Sequence, residues 1–491
     1  MIEFLKFKRN VIYDFDRIFR QQRVSFQQDF TKMAKQLIEE NQKSIIDKIN
    51  NLLNEKEKQI KHINQYEFQR ERQNQQRDYI EQQISFTRKE VFITLLMMYT
   101  NSIECKLQNK IQQHGFNQIN MELIKQGATI QSQEKLKCIH SYFINFYKNF
   151  LKTNESENFY KPNENDMEIK QIENQIEMLQ RQINQLQIQK QSIEEKRQNQ
   201  AKGNQINELT QIIEFIRRTE LRSYGEIFKE YQNKISQFES HTGRCEDKVN
   251  SILVNFADRN VGGLSLDERN IAQEEILMLT HPEAIISMLL FKHPMEDNEA
   301  ILIKNVIRFN DYDGYESTFR WKDEQYINPY QEKFNIDRTD NRLKQDNLQS
   351  EIYEKKLIKN HILCMDAKCY RDWMTQFELI NIKRELLKSY VAFSLALYYT
   401  KNEVISTGKW GCGIFNGDSH LKFYIQLLAF SKALQNNNRT ITFSSFNDLD
   451  LQKFIQQEKD YLSRSSQNKI EYLKNRIELK QQQLLGNYRN S

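Results

Sequence analysis

The chain is 491 residues long, 38% hydrophobic and 28% charged, with a formal net charge of +5. That length allows two or three domains and a large core, and a mean hydropathy of −0.78 is polar for a wholly globular chain. No apolar run reaches the ~18–20 residues of a transmembrane helix, the leading MIEFLKFKRN lacks the apolar stretch of a signal peptide, and the mild, dispersed charge forms no basic patch for nucleic acid.

Six cysteines are scattered along the chain, and the pair Cys364 and Cys369 has no second pair or histidine at zinc spacing. Neither a metal nor a cofactor is therefore expected. Buried free thiols imply a reducing compartment, cytoplasmic or nuclear.

Only four prolines occur, the first at Pro162, so the N-terminal part is free to be almost all helix. Residues 1–82 read as a helical extension, with Leu37, Ile38, Ile45, Ile46, Ile49, Leu52 and Leu53 at i, i+3, i+4 spacing on a polar background. Residues 83–160 are richer in apolar and aromatic residues (FITLLMMYT, IHSYFINFYKNFL) and read as packed helices. Residues 161–216 read as a coiled coil: Ile169, Ile176 and Ile183 at a, with Lys190 the polar a residue, and Ile172, Leu179, Leu186 and Ile193 at d. Gly203-Asn204 breaks that pattern, and Ile206, Leu209, Ile213 and Ile216 restart it. An antiparallel hairpin returns the chain to its own domain; a parallel dimer is the alternative that Ile at a and Leu at d also favours.

From about residue 249 short β-type runs appear (SILVNFA, AILIKNVIRF, NHILCMDA, TITFSSF), separated by helical stretches such as AQEEILML and LKFYIQLLAFSKAL. That alternation predicts an α/β layer with a mixed, mainly buried sheet flanked by helices over 217–455. Residues 456–491 read as one polar amphipathic helix.

Two glycine clusters carry the chemistry. Of the 13 glycines, Gly408, Gly411, Gly413 and Gly417 fall in TGKWGCGIFNGD (407–418), and the apolar spacing of Leu421, Ile425, Leu428 and Ala429 puts a helix directly after it. Backbone N–H groups converging at a helix N-terminus form an anion site, with phosphate the usual occupant. Asp418 is placed to cap that helix, and Trp410, Cys412 and His420 read as packing, packing and surface residues. The second pair, Gly262-Gly263, precedes Gln273-Glu274-Glu275 at a helix start. Adjacent glutamates on a helix point about 100° apart, which lets one act as an acid while the other grips substrate, as glycoside chemistry needs; the alternative is an exposed pair early in a helix, stabilised by its dipole. Burial among other carboxylates raises such a glutamate and keeps it protonated.

Gly262-Gly263 followed by Gln273-Glu274-Glu275 and HPEAIISML is similar to the signature of the poly(ADP-ribose) glycohydrolase family, and Thr407–Lys422 resembles that family's second signature. DGYESTFRW (313–321), MDAKCYRDWMTQF (365–377) and ITFSSFND (441–448) look alike in the same order, as do FTRKEVFITLLMMYTNS and EKLKCIHSYFINFYKNF in a helical accessory region. The likeness covers roughly 85–160 and 213–455, with the coiled coil as an insertion. It implies a macrodomain-like fold that binds ADP-ribose, and hydrolysis of the ribose–ribose O-glycosidic bonds of poly(ADP-ribose). By position, Glu275 matches the general acid and Glu274 the carboxylate that holds ribose hydroxyls. Gln273 and Tyr315 match adenine-side contacts, Phe446 an aromatic at the adenine edge, and Glu246 an acidic adenine contact. Gly262 and Gly263 match the loop beside the scissile ribose; Gly411, Gly413 and Phe415 match the second phosphate loop, with the ring wedging the ribose.

The chain departs from the family inside this site. The family's Asp and Asn flanking Phe-Ala are interchanged as Asn255 and Asp258, which changes what raises Glu275. The third glycine of the first loop is Leu264, at a cost of roughly 1–2 kcal/mol if that position needs φ > 0. Lys409 replaces an Asn and is placed to pair with the diphosphate; Asn416 replaces a Gly. The leading expectation is an exo-type glycohydrolase acting on poly(ADP-ribose) or ADP-ribosylated proteins. The alternatives are a catalytically impaired scaffold, docked through the coiled coil and terminal helices into a cytoskeletal or axonemal assembly, and an ADP-ribose reader.

Overall fold

The protein is described here by a computed structural model, which covers residues 24–69, 78–100, 121–127, 129–151, 209–229, 235–248, 250–269, 271–291, 293–322, 359–401, 404–434, 439–465 and 468–489. The coiled-coil segment 163–196 and its glycine break lie outside the described residues.

A long helix α1 (Val24–Gln69) leads to strand β1 (Tyr79–Thr87) and helices α2 (Arg88–Tyr99), α3 (Glu122–Gln126) and α4 (Ile130–Phe146). Strand β2 (Ile212–Glu220), helix α5 (Tyr224–Ile227) and strands β3 (Gln237–His241) and β4 (Ile252–Ala257) follow. Then come helices α6 (Gln273–Thr280) and α7 (Ser287–Leu290), strand β5 (Glu299–Ile307) and the hairpin β6 (Tyr312–Asp313) and β7 (Arg320–Trp321). Strand β8 (Lys359–Asp366), helix α8 (Leu379–Tyr399), strand β9 (Ile405–Thr407), helix α9 (Ser419–Leu434), strand β10 (Thr440–Ser444) and helices α10 (Leu449–Arg464) and α11 (Lys469–Arg489) complete the order.

Eight strands form one sheet in the order β1-β2-β5-β8-β4-β9-β10-β3. The five from β8 to β3 run parallel, and β5, β2 and β1 extend them antiparallel. Side chains alternate between faces: Ile301, Ile303, Ile362 and Cys364 enter the core shared with α1, α2 and α4, while Leu302, Leu363, Met365 and Val254 enter the core under α8 and α9. A strand covered on both faces needs apolar residues at nearly every position, which is why SILVNFA and NHILCMDA were readable as strands.

Two boundaries move. Ile213 and Ile216, expected to continue a coiled coil, sit on β2, and Tyr79–Thr87, expected within the helical regions 1–82 and 83–160, form β1. The two strands pair antiparallel, Ile84 opposite Phe215. Spacings of three and four residues suit a helix, but Ile212-Ile213-Glu214-Phe215-Ile216 is β-branched and aromatic and finds a partner strand far away in sequence. The C-terminal region is two helices rather than one: Asp448 caps α10 by accepting from Leu451 N at 3.0 Å, and α11 docks on α9 through Arg476 to the Tyr424 hydroxyl at 2.8 Å. The apolar stripe Leu37–Leu52 of α1 is buried in the first core as its spacing requires. Among the described residues no helix is long and apolar enough to cross a membrane.

Candidate functional site

In an open α/β sheet the crevice lies beyond the carboxyl ends of the parallel strands. Here β4 runs into the loop 258–272 before α6, β9 into the glycine loop before α9, β10 into Ser445-Phe446-Asn447, and β3 into the turn carrying Cys245 and Glu246. All of these segments border one another.

Gln273, Glu274 and Glu275 form the first turn of α6 and are 6%, 4% and 5% exposed. Because they start the helix, both carboxylates reach back to the loop before it. Glu274 Oε1 accepts from Gly262 N at 2.7 Å and from Asn255 Nδ2 at 3.1 Å, and its Oε2 accepts from Asp258 N at 2.7 Å. Glu275 Oε1 accepts from Leu264 N and Oε2 from Ala272 N, both at 2.8 Å. A Cβ on Gly263 (φ +47°) would lie 2.5 Å from Glu275 Oε1 and 2.7 Å from Glu274 Oε2, so that glycine leaves room for both. The expectation that neighbouring glutamates serve different faces is corrected: helix geometry fixes where the two Cβ atoms point, not where two flexible carboxyls end.

Burial raises both carboxyls above the ordinary carboxylate range, and Glu274 also feels the charge of Glu275. Against burial, Glu274 has three N–H donors, whereas each Glu275 oxygen accepts one loop or cap N–H and Lys135 lies nearby. Two carboxyls this close do not both ionise readily. The pair therefore shares a proton, with the rise stronger at the more deeply buried Glu274 and opposed at Glu275 by the Lys135 charge.

The cleft itself has a volume of about 260 Å³ and is walled by Glu246, Gln273, Tyr315, Lys409, Phe415 and Phe446. Glu274, Glu275, Gly262 and Gly263 do not line it; they adjoin it through Ala272 and Gln273. Tyr315 and Phe446 face each other with ring centroids 5.7 Å apart, and Phe446 holds φ +49° while 42% exposed. A bulky residue in the left-handed region is strained, which is common where ligands are clamped. Glu246 is buried and accepts from the Tyr312 hydroxyl and the Cys245 thiol. Gly413 has open space where a side chain would be, so a ligand can approach its backbone directly.

The family model described as poly (ADP-ribose) glycohydrolase (PARG), Macro domain fold, matches residues 226–453. Poly(ADP-ribose) glycohydrolase 1 of Caenorhabditis elegans is 33% identical over 206 residues, covering 42% of this chain and 24% of that relative. Residues 226–453 thus resemble the poly(ADP-ribose) glycohydrolase family, at a divergent level of identity. Probable poly(ADP-ribose) glycohydrolase 2 of Arabidopsis thaliana is 27% identical over 287 residues, covering 47% and 50% of the two chains. This chain thus spans a quarter to a half of the length of these curated relatives. The solved poly(ADP-ribose) glycohydrolase of Thermomonospora curvata aligns at 12% identity with a TM-score of 0.30, over 52% of this chain and 82% of that one.

Within that family frame, the departures resolve physically. Leu264 does not take a positive φ, so the expected strain is not incurred. Asn416 does, at +59°, and Asn is a residue that tolerates it. Lys409 pairs with Asp448 at 3.2 Å. The side chain of Asp258 accepts from Asn260 N at 2.8 Å, and its backbone N–H, not its carboxylate, holds Glu274. Neither Asn255 nor Asp258 raises Glu275; burial does. Gln273, expected on the adenine side, lines the cleft but spends its side-chain amide on the end of β4, accepting from Phe256 N at 2.8 Å and donating to Val254 O at 3.0 Å. Asp418 caps α9 at Leu421 N, 2.7 Å. Trp410 is fully buried and donates to Met365 O at 3.0 Å, His420 stacks on Phe454, and burial pushes the Cys412 thiol up to about 12.

Sequence reasoning missed Lys135 on α4, whose fully buried ammonium contacts the loop 264–269. The signal was available: Lys135 shares the apolar face of Ile139, Tyr142 and Phe146, where a lysine is out of place. Among the described residues no cluster of three or more His, Cys, Asp or Glu is set to hold a metal.

Proposed function

We propose that the chain hydrolyses the ribose–ribose O-glycosidic bonds of poly(ADP-ribose), releasing ADP-ribose. The observation that carries this reading is the convergence of Glu274 and Glu275 on Gly263, both buried, both raised, and both fixed by loop N–H groups. Glu275 gives its proton to the leaving ribose oxygen as the bond to the anomeric carbon breaks. Glu274, as carboxylate, holds the neighbouring hydroxyls and stabilises the oxocarbenium-like sugar. Water then adds at the anomeric carbon and returns a proton to Glu275. The cleft takes the ADP part: Tyr315 and Phe446 suit an adenine ring, and the N–H-rich loop at Gly411–Gly413 a diphosphate.

The substrate is poly(ADP-ribose), free or on ADP-ribosylated proteins. Free thiols at Cys245, Cys364 and Cys412 in and beside the cleft support a reducing, cytosolic or nuclear setting.

The test is to incubate the purified chain with poly(ADP-ribose), follow ADP-ribose release, and repeat with Glu275→Gln. Release by the wild type and a loss of about 10²–10⁴-fold in the variant are expected. Tight ADP-ribose binding by a wild type that releases nothing would make the protein a reader, and absence of both would leave only the scaffold.

A further inference from the structure

We infer that Lys135, on a helix outside the segment matched by the family model, is a positioning residue for Glu275, clamping the loop whose backbone N–H orients that carboxyl. This rests on the hydrolase reading above for its kinetic consequence, though not for its structural one.

Lys135 Nζ donates to Leu264 O at 2.7 Å, Asp267 O at 2.8 Å and Arg269 O at 2.9 Å. Three donors on one ammonium meet three carbonyls, and all three acceptors belong to the turn that ends the first glycine loop. Leu264 is the link: its C=O faces Lys135 and its N–H gives the 2.8 Å bond to Glu275 Oε1. Moving the turn therefore moves the donor that aims Glu275.

The rest of α4 braces the same wall. Thr129, its cap, donates from Oγ1 to Glu268 O at 3.0 Å. Glu134 accepts from Trp321 N at 2.7 Å, and Cys138 O accepts from Asn310 Nδ2 at 3.0 Å. The helix thus ties the catalytic loop to the hairpin that carries Tyr315, and Cys138, Ile276, Leu279, Tyr312 and Phe319 pack between them.

A buried ammonium also acts at a distance. The charged groups that face it are Glu275, Asp267 and Arg269; burial pulls it down to about 8, and the Glu275 carboxylate opposes that. In return its charge favours ionised Glu275. Without Lys135, Glu275 holds its proton to higher pH.

The experiment compares wild type, Lys135→Met and Lys135→Gln in the full chain. Met removes clamp and charge; Gln keeps two amide donors and removes the charge. Amide hydrogen exchange over 262–269 should quicken by roughly tenfold or more in Lys135→Met, less in Lys135→Gln, with β4 and α9 unchanged. The kcat for poly(ADP-ribose) should fall about 10²-fold in Lys135→Met while ADP-ribose affinity stays within about threefold. The alkaline limb of the rate profile should move to higher pH in both variants. If Lys135→Met fails to fold, Lys135→Gln and its exchange and pH profile carry the test. Loop exchange equal to wild type in a folded variant overturns the clamp, as does faster exchange spread over the whole domain. A wild type without turnover defeats the hydrolase reading alone, because loop exchange still decides for or against Lys135.

Discussion

Substituting Gly263→Ala puts the reading of the carboxylate pair at risk with a single methyl group. Gly263 sits at φ +47°, where an L-residue costs about 1–2 kcal/mol. The added Cβ would lie 2.5 Å from Glu275 Oε1 and 2.7 Å from Glu274 Oε2, closer than the 3.0 Å below which such contacts do not occur. A long side chain normally swings away from such a contact at little cost. Here the oxygens that must retreat are those held by Leu264 N and Asp258 N, so retreat breaks or stretches two buried hydrogen bonds, about 0.5–1.5 kcal/mol for a neutral carboxyl and about 1.5–3 kcal/mol for an ionised one. The expected stability loss is about 3 kcal/mol, read by urea unfolding. Turnover should suffer more, because displacing a catalytic group by even ~1 Å costs about 10²-fold. Binding of ADP-ribose to the cleft, which Gly263 does not line, should persist. A variant with full turnover would refute the arrangement, since it would mean neither carboxyl needs its place beside Gly263.

A Cβ added at Gly413 would meet nothing within 4 Å, so Gly413→Ala should leave stability within about 0.5 kcal/mol yet weaken ADP-ribose binding about tenfold by calorimetry; unchanged affinity would remove Gly413 from the ligand path. Phe446→Gly relieves the φ +49° strain, gaining up to about 1 kcal/mol of stability, while loss of ring stacking should weaken ADP-ribose by about 1–3 kcal/mol. Unchanged binding would make the ring a packing residue. His281 is fully buried, burial lowers it to about 3, and its Nε2 accepts from Asn360 Nδ2 at 3.0 Å. It folds neutral, so its contribution is present above the unfolded value near 6.5 and is lost as pH falls toward 3, at about 1.4 kcal/mol per pH unit. Between pH 6.5 and 5 the wild type should lose about 2 kcal/mol that His281→Gln does not; parallel losses would refute it.

What could be read in the sequence follows from how local its causes are. β4, β5, β8 and β10 were legible because strands near the sheet centre must be apolar almost throughout. β1, with YIEQQISFT at the sheet edge, looks polar, and its partner β2 lies beyond a long intervening segment, so nothing near it announced a strand. Gln273-Glu274-Glu275 was legible as chemistry through the family signature that its flanking residues resemble, but their convergence depends on a loop folding back over a helix start. Leu264 shows the same limit from the other side: it replaces a glycine without needing a glycine's backbone. Asn416 replaces one that did, and is a residue type able to do so. Lys135 was visible in the sequence as a lysine on an apolar helix face, but the carbonyls it binds come together only once α4 lies against the loop.

The interchange of Asn255 and Asp258 is the departure that bears most on the reaction, and the geometry makes it a conservative one. Val254 points into the core under α8 and α9, so Asn255 points to the opposite face, toward α6. An aspartate there would add a third buried carboxyl beside Glu274 and Glu275 and would have to be protonated to donate. Asn255 donates from Nδ2 to Glu274 Oε1 at any pH, although its Oδ1 has no partner among the described residues. A buried carbonyl oxygen left unbonded costs about 1–3 kcal/mol, less than a third charge in that place would. The carboxylate that moved to Asp258 binds the turn at Asn260 instead, and the bond Glu274 needs from that position comes from the backbone, which every residue but proline supplies. In this chain, then, the Asn255 amide and the Asp258 N–H both hold Glu274, and no third titrating side chain stands at position 255 beside the two glutamates.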